Sequence, residues 1–194
     1  MYSKVRGHST RRSVLFSVLM VAAGISSQIL SNPVLSAQTV KNPTRESLIG
    51  AWRLVSVETI RPDGQVIYPF YGKQPQGLIV YDRSGWMMVQ IVSDPAPTAP
   101  SVDSREEFSA ASDADKAKAA EGYYGYFGTF TFDAKNSTVT HHIQQSMLPG
   151  ERGENGLRHV SLDGDHLTLT ATTHEMGEEH KRKLVWQRVP AERP

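Results

Sequence analysis

An alternation of apolar and polar positions begins at Leu48 and recurs until Arg188. In Leu48-Ile-Gly-Ala-Trp-Arg-Leu-Val-Ser-Val-Glu58, a period of two places Trp52, Leu54, Ser56 and Glu58 on one strand face and Arg53, Val55 and Val57 on the other. Runs of the same kind predict further strands over 65–70, 76–83, 86–93, 125–133, 137–146, 157–163, 166–174 and 180–189. Turn signals fall between them at Asp63-Gly64, Ser84-Gly85, Lys135-Asn136-Ser137 and Asp163-Gly164-Asp165. Short strands joined by hairpins predict an all-β fold, an up-and-down antiparallel β-barrel of about 8–10 strands, although a β-sandwich shares that spacing.

The two ends of this pattern fit together. Gly50 beside Trp52 suits the closed end of a small barrel, where the backbone packs tightly and one indole plugs the floor. Leu184-Val-Trp-Gln-Arg188 is an alternating last strand, and a closed barrel pairs its first and last strands so that no edge stays open. Arg188 is then expected over the Trp52 ring as a cation–π contact.

One insertion breaks the rhythm. Asp94-Pro-Ala-Pro-Thr-Ala-Pro100 reads as an extended linker, and Ser104-Arg-Glu-Glu107 as a capping box before an alanine-rich helical run over 106–121. The insertion, about 103–124, has few large apolar residues beyond Phe108. It is expected to lie over the barrel as a lid on a cavity or as a cover for an exposed edge.

Face assignments give the candidate interior. With Ser84-Gly85 as a two-residue turn, Leu78, Val80, Met87, Val89 and Ile91 share the inward face, and Ile79, Tyr81, Met88 and Gln90 the other. Such an interior suits either a small hydrophobic ligand or a barrel filled by its own side chains. Polar residues interrupt it. His141 is in register with Val139 and Ile143, Arg158 with Val160 and Leu162, and Tyr126 with Phe130 and Phe132. An inward Arg158 needs a carboxylate, either Glu58 or Asp82 from the barrel or an anionic group on a ligand. The candidate ligand-binding set is therefore His141, Arg158, Tyr126, Trp52, Met87 and Val89, with Tyr68-Pro-Phe-Tyr-Gly72 as an aromatic rim or a rigid turn. The plainer reading makes His141 a satisfied core histidine and Arg158 half of an internal salt bridge.

Motifs for other chemistries are missing from the chain. The adjacent His141 and His142 point to opposite faces of a strand, and His159, His166, His174 and His180 lack metal-ligand spacing, so no metal site is expected. There is no Gly-x-Ser-x-Gly elbow, phosphate loop or dinucleotide fingerprint, so no cofactor is expected, and without cysteine no thiol chemistry or disulfide.

The residues that carry the pattern resemble a known family. Gly50-x-Trp52 with an arginine on the last strand is similar to the signature of lipocalin and calycin barrels. The succession Leu48-x-Gly-x-Trp-x-Leu-Val-Ser, Pro69 to Gly72, Pro75-x-Gly-Leu-Ile-Val-Tyr81, Gly85-Trp-Met, Tyr126-Phe-Gly-Thr129, Val139-Thr-His-His142 and Leu184-x-Trp-x-Arg188 resembles the bacterial and fungal lipocalin-like domain family, over roughly residues 46–189. The resemblance implies Gly50, Trp52 and Arg188 as structural residues. It also implies a barrel of a kind that hosts many ligands and a few enzymes.

Charge changes the picture at the N-terminus. Lys4, Arg6, Arg11 and Arg12, the apolar run Val14 to Ile25 and a small residue at Ala37 predict an export signal over 1–37, partly similar to the twin-arginine type at Ser9-Thr-Arg-Arg-Ser-Val-Leu15. A polar lead-in over 38–45 and one barrel domain over 46–190 follow. Those four basic residues, taken from 21, leave 17 against 20 acidic, a net of −3, so no basic surface for nucleic acid is expected. The apolar run is too short for a permanent membrane span.

Three functions follow as expectations for a periplasmic or secreted protein. The first is binding or carriage of a small hydrophobic or amphipathic molecule. The second is an isomerase, cyclase or hydratase with His141 as acid or base and Tyr126 or Arg158 stabilising developing negative charge. The third is a structural envelope protein with a filled barrel.

Overall fold

The computed structural model describes residues 42–96, 102–175 and 177–191. The expected export segment, most of the lead-in and part of the 94–100 linker lie outside them. Within them the strands are β1 (Gly50–Ile60), β2 (Val66–Ile67), β3 (Gln76–Tyr81), β4 (Trp86–Val92), β5 (Tyr123–Asp133), β6 (Thr138–Ser146), β7 (Asn155–Asp163), β8 (His166–Glu175) and β9 (Glu178–Arg188). Each of β3 to β8 pairs antiparallel with the next, and β1 pairs with both β3 and β9. The sheet therefore closes into an eight-stranded antiparallel barrel, with β2 attached outside the ring to the end of β1.

At the floor the expectation from Gly50, Trp52 and Arg188 is met. A four-residue helix, α1 (Arg45–Leu48), precedes β1; Thr44 and Ser47 close a capping box on it. Sequence patterning gave no sign of so short a helix. Leu48 and Trp52 are fully buried, and the Trp52 Nε1 donates to the Leu48 carbonyl at 2.8 Å. The Arg188 guanidinium stacks 3.9 Å from the Trp52 ring centroid and donates to the carbonyls of Ser47 and Ile49. Those carbonyls end α1 and have no further helical turn to bond them, so Arg188 caps the helix while it covers the indole.

Two face assignments are corrected. The β3–β4 loop spans more than the two residues expected: Tyr81 faces Met87, and Asp82 accepts from the Ser84 amide at 2.9 Å in an Asx turn. The register moves by one, and with a period of two every β3 side chain changes face. Ile79 and Tyr81 are buried, whereas Leu78 is 40% exposed; the expected inward positions Met87, Val89 and Ile91 of β4 do face the core. In β1 a bulge between Leu54 and Ser56 shifts the alternation, so Trp52, Leu54, Val57 and Thr59 are buried and Glu58 is turned to Lys183 at 3.2 Å.

The insertion is two helices rather than one run. α2 (Arg105–Ala110) and α3 (Asp113–Glu121) are each opened by a serine, Ser104 accepting from the Glu107 amide and Ser112 from the Asp115 amide. Neither helix buries a residue.

Candidate functional site

The barrel holds a chamber of about 370 Å³ between its floor and the α3 end. Ile79, Val89, Ile91, Leu169, Leu184 and Trp186 supply much of its apolar wall. Phe70, Tyr71 and Tyr124, with Ala120 and Glu121 of α3, also line it. The Tyr68 to Gly72 segment thus delivers two aromatic rings to the chamber, and the helical insertion contributes its last turn.

An aromatic column runs along one side. Phe70 and Tyr71 are 6.5 Å apart by ring centroid, Tyr71 and Tyr124 6.2 Å, and Tyr124 and Tyr126 5.6 Å. Tyr126 and Tyr81 then flank His141 at 5.9 and 5.6 Å, and Tyr81 meets the edge of Phe130 at 4.8 Å. Alternation on β5 and β6 makes this column, because Tyr126 and Phe130 face inward on one strand and His141 on its neighbour.

His141 is 1% exposed and both ring nitrogens are occupied: the Tyr81 hydroxyl lies 2.7 Å from Nε2 and the Tyr126 hydroxyl 2.8 Å from Nδ1. Burial, the Arg158 charge and His142 hold its pKa well below the usual value, so the ring is neutral. Burial likewise raises the phenols of Tyr81 and Tyr126, with Arg158 opposing in both cases. They stay protonated at neutral pH.

Arg158 is half-buried on β7 and lines the chamber. Its guanidinium fits because residue 156 is glycine; a Cβ there would stand 2.8 Å from Nη1. Neither carboxylate expected for it is its partner. Glu58 has been turned outward by the bulge and pairs with Lys183, and Asp82 is held in its own turn by Ser84. Two other acids line the chamber in committed roles: Glu175 pairs with Arg182, and Glu151 accepts from the Tyr124 hydroxyl at 2.8 Å and from Ser146 Oγ at 2.6 Å. Burial first, then Tyr126 and Glu151, push the Tyr124 phenol up, and burial pushes Tyr71 up to about 12.

Of the residues singled out from sequence, His141, Arg158, Tyr126 and Val89 line the chamber together. Trp52 lies in the floor and Met87 in the buried core, and neither is among the lining residues. Sequence reasoning missed Tyr81, Tyr124, Glu151, Arg182 and Trp186. The Asp82-Arg-Ser-Gly85 sequence of an Asx turn was the available signal for Tyr81. Trp186 offered another, since β9 alternation puts it on the same face as Leu184 and Arg188.

Among the described residues no group of three or more His, Asp or Glu is placed to hold a metal ion, and no helix is long and apolar enough to cross a membrane. The arrangement offers apolar surface with a few fixed hydrogen-bonding groups, which suits recognition of a molecule by shape and one polar end. No curated protein matches the sequence. The family model described as a lipocalin-like domain matches residues 49–189, the whole barrel from the floor of β1 to the end of β9, and the chain therefore belongs to the lipocalin-like domain family.

Proposed function

We propose that this protein is an exported lipocalin-like barrel that binds or carries a small hydrophobic or amphipathic molecule. The observation that carries the reading is the chamber itself: about 370 Å³ walled largely by aliphatic and aromatic side chains, inside the usual range for small-molecule sites. A filled structural barrel would have no such space. The basic start and apolar run within residues 1–37 support export. Catalysis by His141 has less support, because a general base needs a free lone pair within reach of substrate and both nitrogens of this ring are engaged by tyrosines.

Native mass spectrometry of the protein recovered from its producing cells, followed by denaturation and analysis of released small molecules, tests the reading. A stoichiometric apolar compound is the expected result, on a chain lacking the N-terminal segment. A protein that releases nothing and also fails to take up the fluorescent probe N-phenylnaphthylamine would overturn it.

A further inference from the structure

Arg158 places a full charge in a chamber walled mostly by carbon, and among the described residues no carboxylate lies within ion-pair distance of it. Among the described residues its Nη1 donates to the neighbouring Leu157 carbonyl at 3.0 Å, and its guanidinium lies close enough to the Tyr126 hydroxyl to oppose the rise of that phenol's pKa. A guanidinium has five N–H donors, so most of its capacity is unspent. The acids that share the chamber wall do not serve it: Glu175 is held by Arg182, Glu151 by Tyr124 and Ser146, and Glu121 is exposed at the α3 end.

The hydrogen positions around His141 follow from the count of acceptors. Tyr81 is 1% exposed, and among the described residues its hydroxyl has a single partner, His141 Nε2. The Tyr81 hydrogen therefore goes to Nε2, because otherwise it would be buried without an acceptor. A neutral imidazole with Nε2 accepting carries its hydrogen on Nδ1, and that hydrogen goes to the Tyr126 oxygen. The hydroxyl hydrogen of Tyr126 is left over, on a residue that lines the chamber. Tyr81 and His141 thus fix Tyr126 as a donor toward the space beside Arg158. Trp186, fully buried and also lining the chamber, keeps an indole N–H without an acceptor among the described residues.

We propose that Arg158 and the Tyr126 hydroxyl form a headgroup site for a carboxylate, so that the chamber takes an amphipathic monocarboxylic acid with its tail against Ile79, Val89, Leu169 and Leu184. This rests on the binding reading above and names its ligand class. One unpaired cation neutralises a single negative charge, and the planar fork of arginine matches the two oxygens of a carboxylate. A phosphate monoester would bring a second charge that no free group there balances. The suppressed basicity of His141 agrees, because it keeps the imidazole neutral and leaves Arg158 as the cation of the cluster.

The test compares octanoate, decanoate and dodecanoate with the alcohols of the same length, by calorimetry on the mature protein, its Arg158→Met variant and its Gly156→Ala variant. The acids are expected to bind at least about tenfold more tightly than the alcohols. In Arg158→Met that preference disappears while alcohol binding persists, which also shows that the variant is folded. Gly156→Ala keeps every charge but displaces the guanidinium, and is expected to weaken the acids alone. Equal affinity of acid and alcohol for the parent protein, or an acid preference that survives Arg158→Met, overturns the headgroup site and leaves the apolar chamber standing. If neither series binds, both readings fall.

Discussion

The floor and the chamber of this barrel each contain a buried tryptophan and an arginine, and they treat them in opposite ways. At the floor the Trp52 N–H reaches the Leu48 carbonyl, and Arg188 lies on the indole with its own donors on Ser47 and Ile49. In the chamber, among the described residues, the Trp186 N–H has no acceptor, and Arg158 reaches the carbonyl next to it and lies beside the Tyr126 hydroxyl. A buried donor left unmet costs stability that a met one does not. The floor pair thus holds the fold, whereas the chamber pair leaves donors unmet among the described residues.

That contrast can be broken by mutation. Trp52→Ala is expected to lose about 3–5 kcal/mol in denaturant unfolding, the usual range for emptying a fully buried tryptophan. Trp186→Phe removes an unpaired donor and keeps most of the ring, so its loss should be far smaller. Equal losses would show that the two indoles do the same work. The arginines sharpen the comparison at a lower scale. Arg188→Met strands the α1 carbonyls and should cost about 1–3 kcal/mol, while Arg158→Met should leave stability unchanged or slightly raised.

The smallest expected effect is a pH dependence confined to the chamber side. His141 is held neutral in the folded chain, with its pKa below the ordinary 6.5 it has when unfolded. The unfolded chain therefore binds the extra proton first. Its contribution is fully present above pH 6.5 and is lost as pH falls from there through the folded pKa. Unfolding followed across that window should lose stability in the parent more steeply than in His141→Gln. Identical slopes would mean that His141 is not kept neutral.

The floor was legible because its logic is local and repetitive. Gly50, Trp52 and Arg188 sit at fixed places in alternating strands, and the need to close the sheet brings them together. His141 and Arg158 were assigned to the inward face from the same alternation. The errors arose wherever one residue was added to or dropped from a ladder. The longer β3–β4 loop exchanged Leu78 for Ile79 and hid Tyr81, the group that orients His141. The β1 bulge carried Glu58 away from the interior and with it a supposed partner of Arg158. Neither irregularity leaves a mark in hydrophobic period, because each changes where the count starts and not its spacing. The Arg182 pair with Glu175 was hidden for another reason: it joins strands across a turn whose register no residue pattern announces.

The contact between Arg188 and the Ile49 carbonyl joins residues 139 positions apart. During synthesis the first strand leaves the ribosome long before the last one exists, and its long pairing with β9 has no substitute in the sequence between them. The ring closes only after β9 has emerged, by a search over a loop that spans the strands between. Such a chain folds slowly, on the millisecond to second scale set by non-local strand pairing. Until β9 is made it stays open, with Trp52 uncovered.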